Sequence, residues 1–416
     1  MRRRRAEAME CGTWRSGRMG GAAWLEADAA RAALGRSFAI AEERGSALDQ
    51  VQLLGPLNMF HLRTGDFKTA LHYAQCCSVI AGTVEASVAV ALAHSILGIS
   101  LHLSGDLGGA RVELEAALRH GPRDQRTTTV YLGFEGKNLA GAILARNLWL
   151  QGHPAQATER ARLTVRDAAR MDHPLTLSIA LIWAVSVFLW TGDLQSAEQH
   201  VDWLMSCAQS HSLAPYLLLG RGFKGELAIR QGDASGGVES LRSCLEELHA
   251  APYELLTTAL NISLVQGLAV MGRFAEGVTL ADETIRLGEA NGGLCYMPEL
   301  LRVKGNLLLS MPQPHRDGAE KCLARSLKLS RRQGARAWEL RTGVDLAALL
   351  TAQGRGDSAR ALLQPAFEQF IEGRDTADLQ AAGRLLASLG PSGLRRSGHR
   401  AAAKQATPVA KIGPST

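Results

Sequence analysis

The stretch "WTGDLQSAEQHVDWL", Trp190–Leu204, decides how the chain is to be read. A turn-like Thr-Gly-Asp ends one apolar run, and an alanine followed by apolar residues at helical spacing begins the next. Versions of it recur as "RTGDFKTALHYA" from Arg63, "LSGDLGGARVEL" from Leu103, "LQGHPAQATERA" from Leu150, "RQGDASGGVESL" from Arg230, "VMGRFAEGVTLA" from Val270 and "AQGRGDSARALL" from Ala352. The turn glycines are Gly65, Gly105, Gly152, Gly192, Gly232, Gly272 and Gly354, and Pro314 holds the equivalent place in "MPQPHRDGAEKCLARSL". Successive marks lie 40, 47, 40, 40, 40, 42 and 40 residues apart. Such a period signals a repeat architecture.

The register extends beyond the turn. Five residues after each mark stands Ala or Gly: Ala70, Ala110, Ala157, Ala197, Gly237, Gly277, Ala319 and Ala359. Four further on, Ala74, Leu114, Ala161, Val201, Leu241, Ala281, Leu323 and Leu363 are all apolar, and the next helical step is mostly small. Steps of three and four residues stack side chains on one helix face. Gly98, Ala145, Gly225 and Ala347, seven residues before their marks, are small as well. Small residues on both sides of a tight turn let two antiparallel helices approach closely. Glycine ends the first helix, and an adjacent aspartate can cap the second. A hairpin alone leaves an apolar face exposed, which stacking on the next hairpin buries.

The small–turn–small signature resembles the tetratricopeptide repeat, stretched from its usual ~34 residues to about 40. The expected fold is all-α, a right-handed superhelical solenoid of about eight helical hairpins. It should occupy residues 22–389, with its longest insertion after Gly121-Pro122. Residues 22–45 fit the second helix of a hairpin whose first helix is missing, so the array is expected to start mid-repeat, as a piece of a longer protein would. Residues 376–389 read as a closing helix. Residues 1–21 and 390–416, rich in Arg, Gly, Ser and Pro, read as disordered basic ends.

Those ends carry the net charge of +6: residues 1–20 hold +4 and residues 391–416 hold +5, leaving the body at −3. A basic groove for nucleic acid is therefore not expected, and DNA association is confined to the tails. Seven dispersed Cys without a CxxC pair suit a reducing cytoplasm, and the Arg run at the start lacks a signal peptide's apolar region. The uncharged "PLTLSIALIWAVSVFLWTG", Pro174–Gly192, approaches the length of a membrane span. The register makes it the first helix of the fourth hairpin, buried by its neighbours.

Three later segments carry a more specific likeness: "PELLRVKG" (Pro298–Gly305), "SRRQGARAWELR" (Ser330–Arg341) and "FEQFIEGRDTADLQAA" (Phe367–Ala382). With "AHSILGISLHLSGDLGGARVELEAALRHG" and "GRGFKGELAIRQGD", they resemble the carboxy-terminal repeat region of large bacterial signal-transduction ATPases, in particular the winged-helix branch. The likeness covers roughly residues 35–389. In that family the repeats follow a nucleotide-binding module. Here the sole Gly-Lys, Gly136-Lys137, is followed by Asn138 and makes no phosphate-binding loop. ATPase and DNA-binding activities are thus not carried over, and the resemblance implies the sensor or interaction arm alone.

No catalytic constellation, cofactor motif or metal-ligand spacing stands out. His94 and His102 share a possible helix face and read as solvent-facing. Trp338, in "AWELR", reads as core. In tetratricopeptide-like arrays the first helices line a concave groove, and six residues before the marks stand Arg146, Ser186, Glu226 and Gln266 in four consecutive repeats. The flanking repeats have Met59, Ile99, Leu308 and Ala348 there. This polar ladder, extended by Lys304 and Arg341, is the candidate groove for a protein, peptide or small effector. Arg221 and Lys224 are expected to pack between repeats or pair with Glu226. The expected function is a non-catalytic interaction or sensor module. The alternatives are a scaffold for an ATPase on another chain and DNA association through the tails.

Overall fold

The computed structural model describes residues 22–120 and 134–389. The two basic ends and the insertion after Gly121 lie outside the described residues. Those described form only α-helices and turns: α1 (Ala22–Glu43), α2 (Ala47–Arg63), α3 (Phe67–Ala81), α4 (Ser87–Ser104), α5 (Leu107–His120), α6 (Gly136–Leu150), α7 (Pro154–Ala169), α8 (Pro174–Thr191) and α9 (Leu194–Ser210). The second half continues with α10 (Ala214–Arg230), α11 (Ala234–Ala250), α12 (Thr257–Val270), α13 (Phe274–Asn291), α14 (Met297–Ser310), α15 (Arg316–Gln333), α16 (Arg336–Ala352), α17 (Gly356–Glu368) and α18 (Ala377–Ser388). Helices α2 to α17 pair as eight antiparallel hairpins, with α1 packed on α2 and α18 on α16 and α17.

The quoted stretch is the turn of the fourth hairpin. Gly192 adopts φ +83°, the left-handed conformation that ends α8, and the six other turn glycines also have positive φ. The amide of Asp193 donates to the Phe188 carbonyl at 2.9 Å, while its carboxylate accepts from the Ser196 amide at 3.1 Å and caps α9. Asp66, Asp106 and Asp233 cap α3, α5 and α11 in the same way. The Pro314 turn lacks the glycine, yet His315 N donates to Leu308 O at 2.9 Å, the equivalent closing bond.

The register residues are the hairpin interface. Every residue five and nine positions past a mark is buried. A Cβ at Gly98 would lie 2.7 Å from the Leu114 side chain, and one at Gly237 would lie 2.5 Å from the Gly225 carbonyl. Helices at that separation leave no room for larger residues, which explains the alternation of glycine and alanine. Among the described residues two helices, α4 and α8, are long and apolar enough to cross a membrane; 61% and 72% of their residues are buried in the fold.

The stack coils tightly enough to meet itself. The approach to the sixth hairpin touches the turn of the first, where Glu254 N donates to Arg63 O at 2.5 Å. The approach to the seventh touches the second, with Cys295 N donating to Leu103 O at 3.0 Å. Arg336 and Phe370, in and after the eighth, lie against Gly152 of the third. Across this seam Glu372 caps α7, whose own N-cap residue, His153, makes no side-chain capping bond. Its Oε1 accepts from Ala155 N and Gln156 N at 3.1 and 3.2 Å.

Candidate functional site: an axial cavity

A tight coil carries the first helix of each hairpin toward the superhelix axis. Helices α8, α10, α12, α14, α16 and α18 there line an open cavity of about 440 Å³. One wall is aromatic, with Trp190, Tyr296 and Trp338 at the surface and Trp149 behind them. Trp190 and Trp338 stand edge to face at 5.5 Å between centroids, and Trp149 lies 4.7 Å from Trp190 and 5.0 Å from Trp338. Rings from the third, fourth and eighth hairpins thus form one cluster, joining one coil to the next.

Arg146 lies behind that wall, wholly buried. Its guanidinium carbon sits 4.7 Å from the centroid of Trp183, 4.6 Å from Trp190 and 5.3 Å from Tyr296. It donates to Ser186 Oγ at 2.8 Å and to the Tyr296 hydroxyl. No carboxylate pairs with it among the described residues, so ring faces and hydroxyls carry the charge. Burial raises the Tyr296 hydroxyl above its ordinary pKa, with Arg146 opposing.

The ionic part of the lining adjoins the rings, the Arg341 guanidinium carbon lying 4.8 Å from the centroid of Trp149 and 5.3 Å from that of Trp338. Arg302 forks onto Glu299 with two bonds of 2.8 Å and reaches Asp345 Oδ2 at 2.6 Å. Arg341 donates to Asp378 Oδ2 at 2.8 Å, Glu299 Oε1 at 3.4 Å and the Trp190 carbonyl at 3.1 Å. It therefore ties α16 to α18, to α14 and across the axis to α8. Burial alone would raise the Glu299 carboxyl, but Arg302 and then Arg341 outweigh it and hold it below its ordinary value. Burial likewise works against the Arg302 charge, and Glu299 with Asp345 more than reverses that. Glu226 completes this ionic part, accepting from Arg230 at 2.7 and 3.0 Å and from Ser263 Oγ at 2.8 Å.

The ladder predicted from sequence is divided by this geometry. Ser186, Glu226, Gln266 and Arg341 line the cavity, whereas Arg146 reaches it only through Ser186 and Tyr296. Lys304 is elsewhere, paired with Asp282 of α13. Arg221 and Lys224 do not pair with Glu226: Arg221 faces Glu247 at 3.6 Å, and Lys224 faces Asp202 at 2.6 Å. Each bridges from the outer side of α10 to a second helix. His102 is not solvent-facing. It is wholly buried against the seam, with Nδ1 3.2 Å from Asn147 Oδ1 and Nε2 3.7 Å from Cys295 Sγ. Burial, helped by Arg146, lowers its pKa to about 3. His94 is half-buried, with Nδ1 2.6 Å from Glu113 Oε2.

Sequence reasoning by register missed Trp190, Tyr296, Glu299, Arg302, Asp345 and Asp378. A signal for half of them, Glu299, Arg302 and Asp378, was present in the segments that carry the family likeness. "PELLRVKG" supplies Glu299 and Arg302, "AWELR" supplies Trp338 and Arg341, "RDTADLQAA" supplies Asp378, and "GFKGELAIR" supplies Phe223, Glu226 and Arg230. Separate in sequence, these segments converge on one cavity. Among the described residues no cluster of three or more His, Cys, Asp or Glu could hold a metal ion.

Residues 91–116, 139–162 and 340–365 match the family model of the tetratricopeptide repeat. They fall on the second, third and eighth hairpins. No curated protein sequence matches the chain. Among solved structures, the chain is similar to a Rap protein complexed with competence and sporulation factor, at 12% identity and TM-score 0.59, covering 88% of this chain and 94% of that one. It is also similar to the APC/C hetero-tetramer Cut9–Hcn1, at 13% identity and TM-score 0.50, covering 89% of this chain and 63% of that one. A third match is a signal transduction ATPase with numerous domains, bearing a tetratricopeptide repeat sensor, from Pyrococcus horikoshii. It has 11% identity and TM-score 0.43, with 86% of this chain and 55% of that one covered. At these identities the likeness speaks to the fold: the chain is an all-α solenoid of tetratricopeptide-like hairpins.

Proposed function

We propose that the chain is a non-catalytic interaction module that takes a segment of a protein partner, or a small effector, in the axial cavity. The observation that carries this reading is the cavity's composition. Six helices from the fourth hairpin to the closing helix each contribute side chains to it, and Arg341 in its wall also bonds across the axis to Trp190 O. An occupant would touch elements of both coils and so bias how tightly they close. Repeat solenoids present inner surfaces of this kind to peptides, and the Rap protein of like fold was solved in complex with a factor. The sequence resemblance to the sensor region of ATPase-type regulators supports a signalling role, in which occupancy is read out by a nucleotide-binding module.

The test is a selection of random displayed peptides on the full chain, with an Ala259→Trp variant as control. Ala259 lines the cavity, so the larger side chain fills it, and circular dichroism verifies the fold. Peptides that bind the natural chain and not the variant are expected. Binding that the variant retains, or no binding at all, overturns the reading, and intrinsic ATP hydrolysis by the purified chain would end its non-catalytic part.

A further inference from the structure

We infer that the cavity recognises a cation, the guanidinium or ammonium group of a basic residue in a peptide partner. This rests on the cavity being the binding site proposed above, and it adds the chemistry of the occupant.

The argument is a census of donors and acceptors. Three arginines line the cavity, and each has donated its nitrogens internally. Arg302 gives all three to Glu299 and Asp345. Arg230 gives two to Glu226 and the third to the Leu189 carbonyl. Arg341 gives one each to Asp378, Glu299 and the Trp190 carbonyl. Each guanidinium charge is thus already matched by an internal carboxylate, and a carboxylate or phosphate ligand would enter beside those carboxylates with no unpaired cation to offset its charge.

Carboxylates are in surplus, while among the described residues Trp338 Nε1 in the lining and Arg146 Nε behind it are the buried donors left without a partner there. Four carboxylates, Glu226, Glu299, Asp345 and Asp378, line the cavity against the three arginines. Asp345 accepts from Arg302 and Asn306 through Oδ2 alone, and Asp378 accepts from Arg341 through Oδ2 alone. The Oδ1 atoms of both accept no hydrogen bond among the described residues, and the side chains are 23% and 30% exposed. Arg146, the one further cation nearby, lies behind the ring wall with its charge spread over Trp183, Trp190 and Tyr296. Trp190 and Trp338 already carry Arg146 and Arg341 at 4.6 and 5.3 Å, but Phe223 in the lining has no such partner among the described residues, and apolar and aromatic surface beside free carboxylate oxygens suits an organic cation rather than a hydrated metal ion.

The experiment uses the peptides selected above as probes. Those sensitive to Ala259→Trp should share a position occupied by Arg or Lys. Replacing that residue by citrulline (norleucine where it is Lys), which removes the charge and keeps the length, should weaken binding about tenfold or more by fluorescence anisotropy. The Asp345→Asn/Asp378→Asn pair should weaken the charged peptide by a similar factor and leave the uncharged one unaffected. The ligand-side change needs no variant, so misfolding of the double mutant does not mask the result. Sensitive peptides with no basic position, or with an acidic one in its place, overturn the cation and leave the site standing. Failure to select any sensitive peptide overturns both.

Discussion

Within each hairpin the two helices meet through residues with almost no side chain, whereas successive coils meet through some of the largest side chains in the molecule. At Gly98 and Gly237 the partner helix comes so near that even a methyl group collides. At the seam, Trp149, Trp190 and Trp338 fill the space with rings, and Arg146 is held between Trp190, Trp183 and Tyr296. The difference follows from how often each contact is made. The hairpin interface recurs at every repeat, so one short pattern of small residues builds it eight times. Each coil-to-coil contact occurs once, at a place fixed by the superhelix pitch, and so leaves no period in the sequence.

Removing Trp338 should have the largest effect. Trp338→Ala is expected to cost about 3–5 kcal/mol in urea unfolding. It should also loosen the seam before the hairpins. Cys295 reports this, because burial pushes its thiol up to about 12 and keeps it unreactive at pH 8 while the coils are closed. Peptide mapping after maleimide treatment should find Cys295 modified faster in the variant, with the buried Cys244 in α11 unchanged. Equal labelling of both would mean that the seam is no separate unit.

The hairpin counterpart is Gly237→Ala, which sets a methyl group against the Gly225 backbone and should cost about 1–3 kcal/mol. Its effect should add to that of Trp338→Ala if the two interfaces are independent. A clear deviation from additivity would show that hairpin geometry sets the pitch.

Acid should act on the seam through His102. Its folded pKa, about 3, lies below the ordinary 6.5, so its contribution is complete above the ordinary value and is lost as pH falls from there toward 3. Stability from urea unfolding should decline between pH 7 and pH 5 more steeply in the natural chain than in His102→Asn. His249 has the opposite sign. Its bond to Glu254 outweighs burial and raises its pKa, so its smaller contribution at this half-exposed site is present in acid and fades as pH rises through the folded value.

Capping gives the smallest effects and the closest comparison. Asp193→Ala removes a local cap repeated in four hairpins, at about 1 kcal/mol. Glu372→Ala removes the cap supplied to α7 from across the seam and, being exposed, should cost no more than that. Both are read from thermal unfolding. A larger loss for Glu372→Ala would make the exposed rim of the seam more important than its ring cluster.

The repeat, the turn positions and the hairpin packing face were legible in the sequence, because local backbone rules act on residues near in the chain. Glycine is favoured at φ +83° whatever surrounds Gly192, and +5 and +9 share a helix face by geometry alone. Part of the cavity was legible too, in Ser186, Glu226, Gln266 and Arg341. Arg146 was found at the right position, but its surroundings were not. A charged residue on an inner helix face reads as solvated until the next coil is known to cover it. Only the tertiary structure decided that Tyr296, far along the chain, accepts from Arg146 and that Trp338 packs on Trp149 and Trp190. Those contacts depend on pitch, a small rotation summed over several hairpins, and no single hairpin's sequence encodes it.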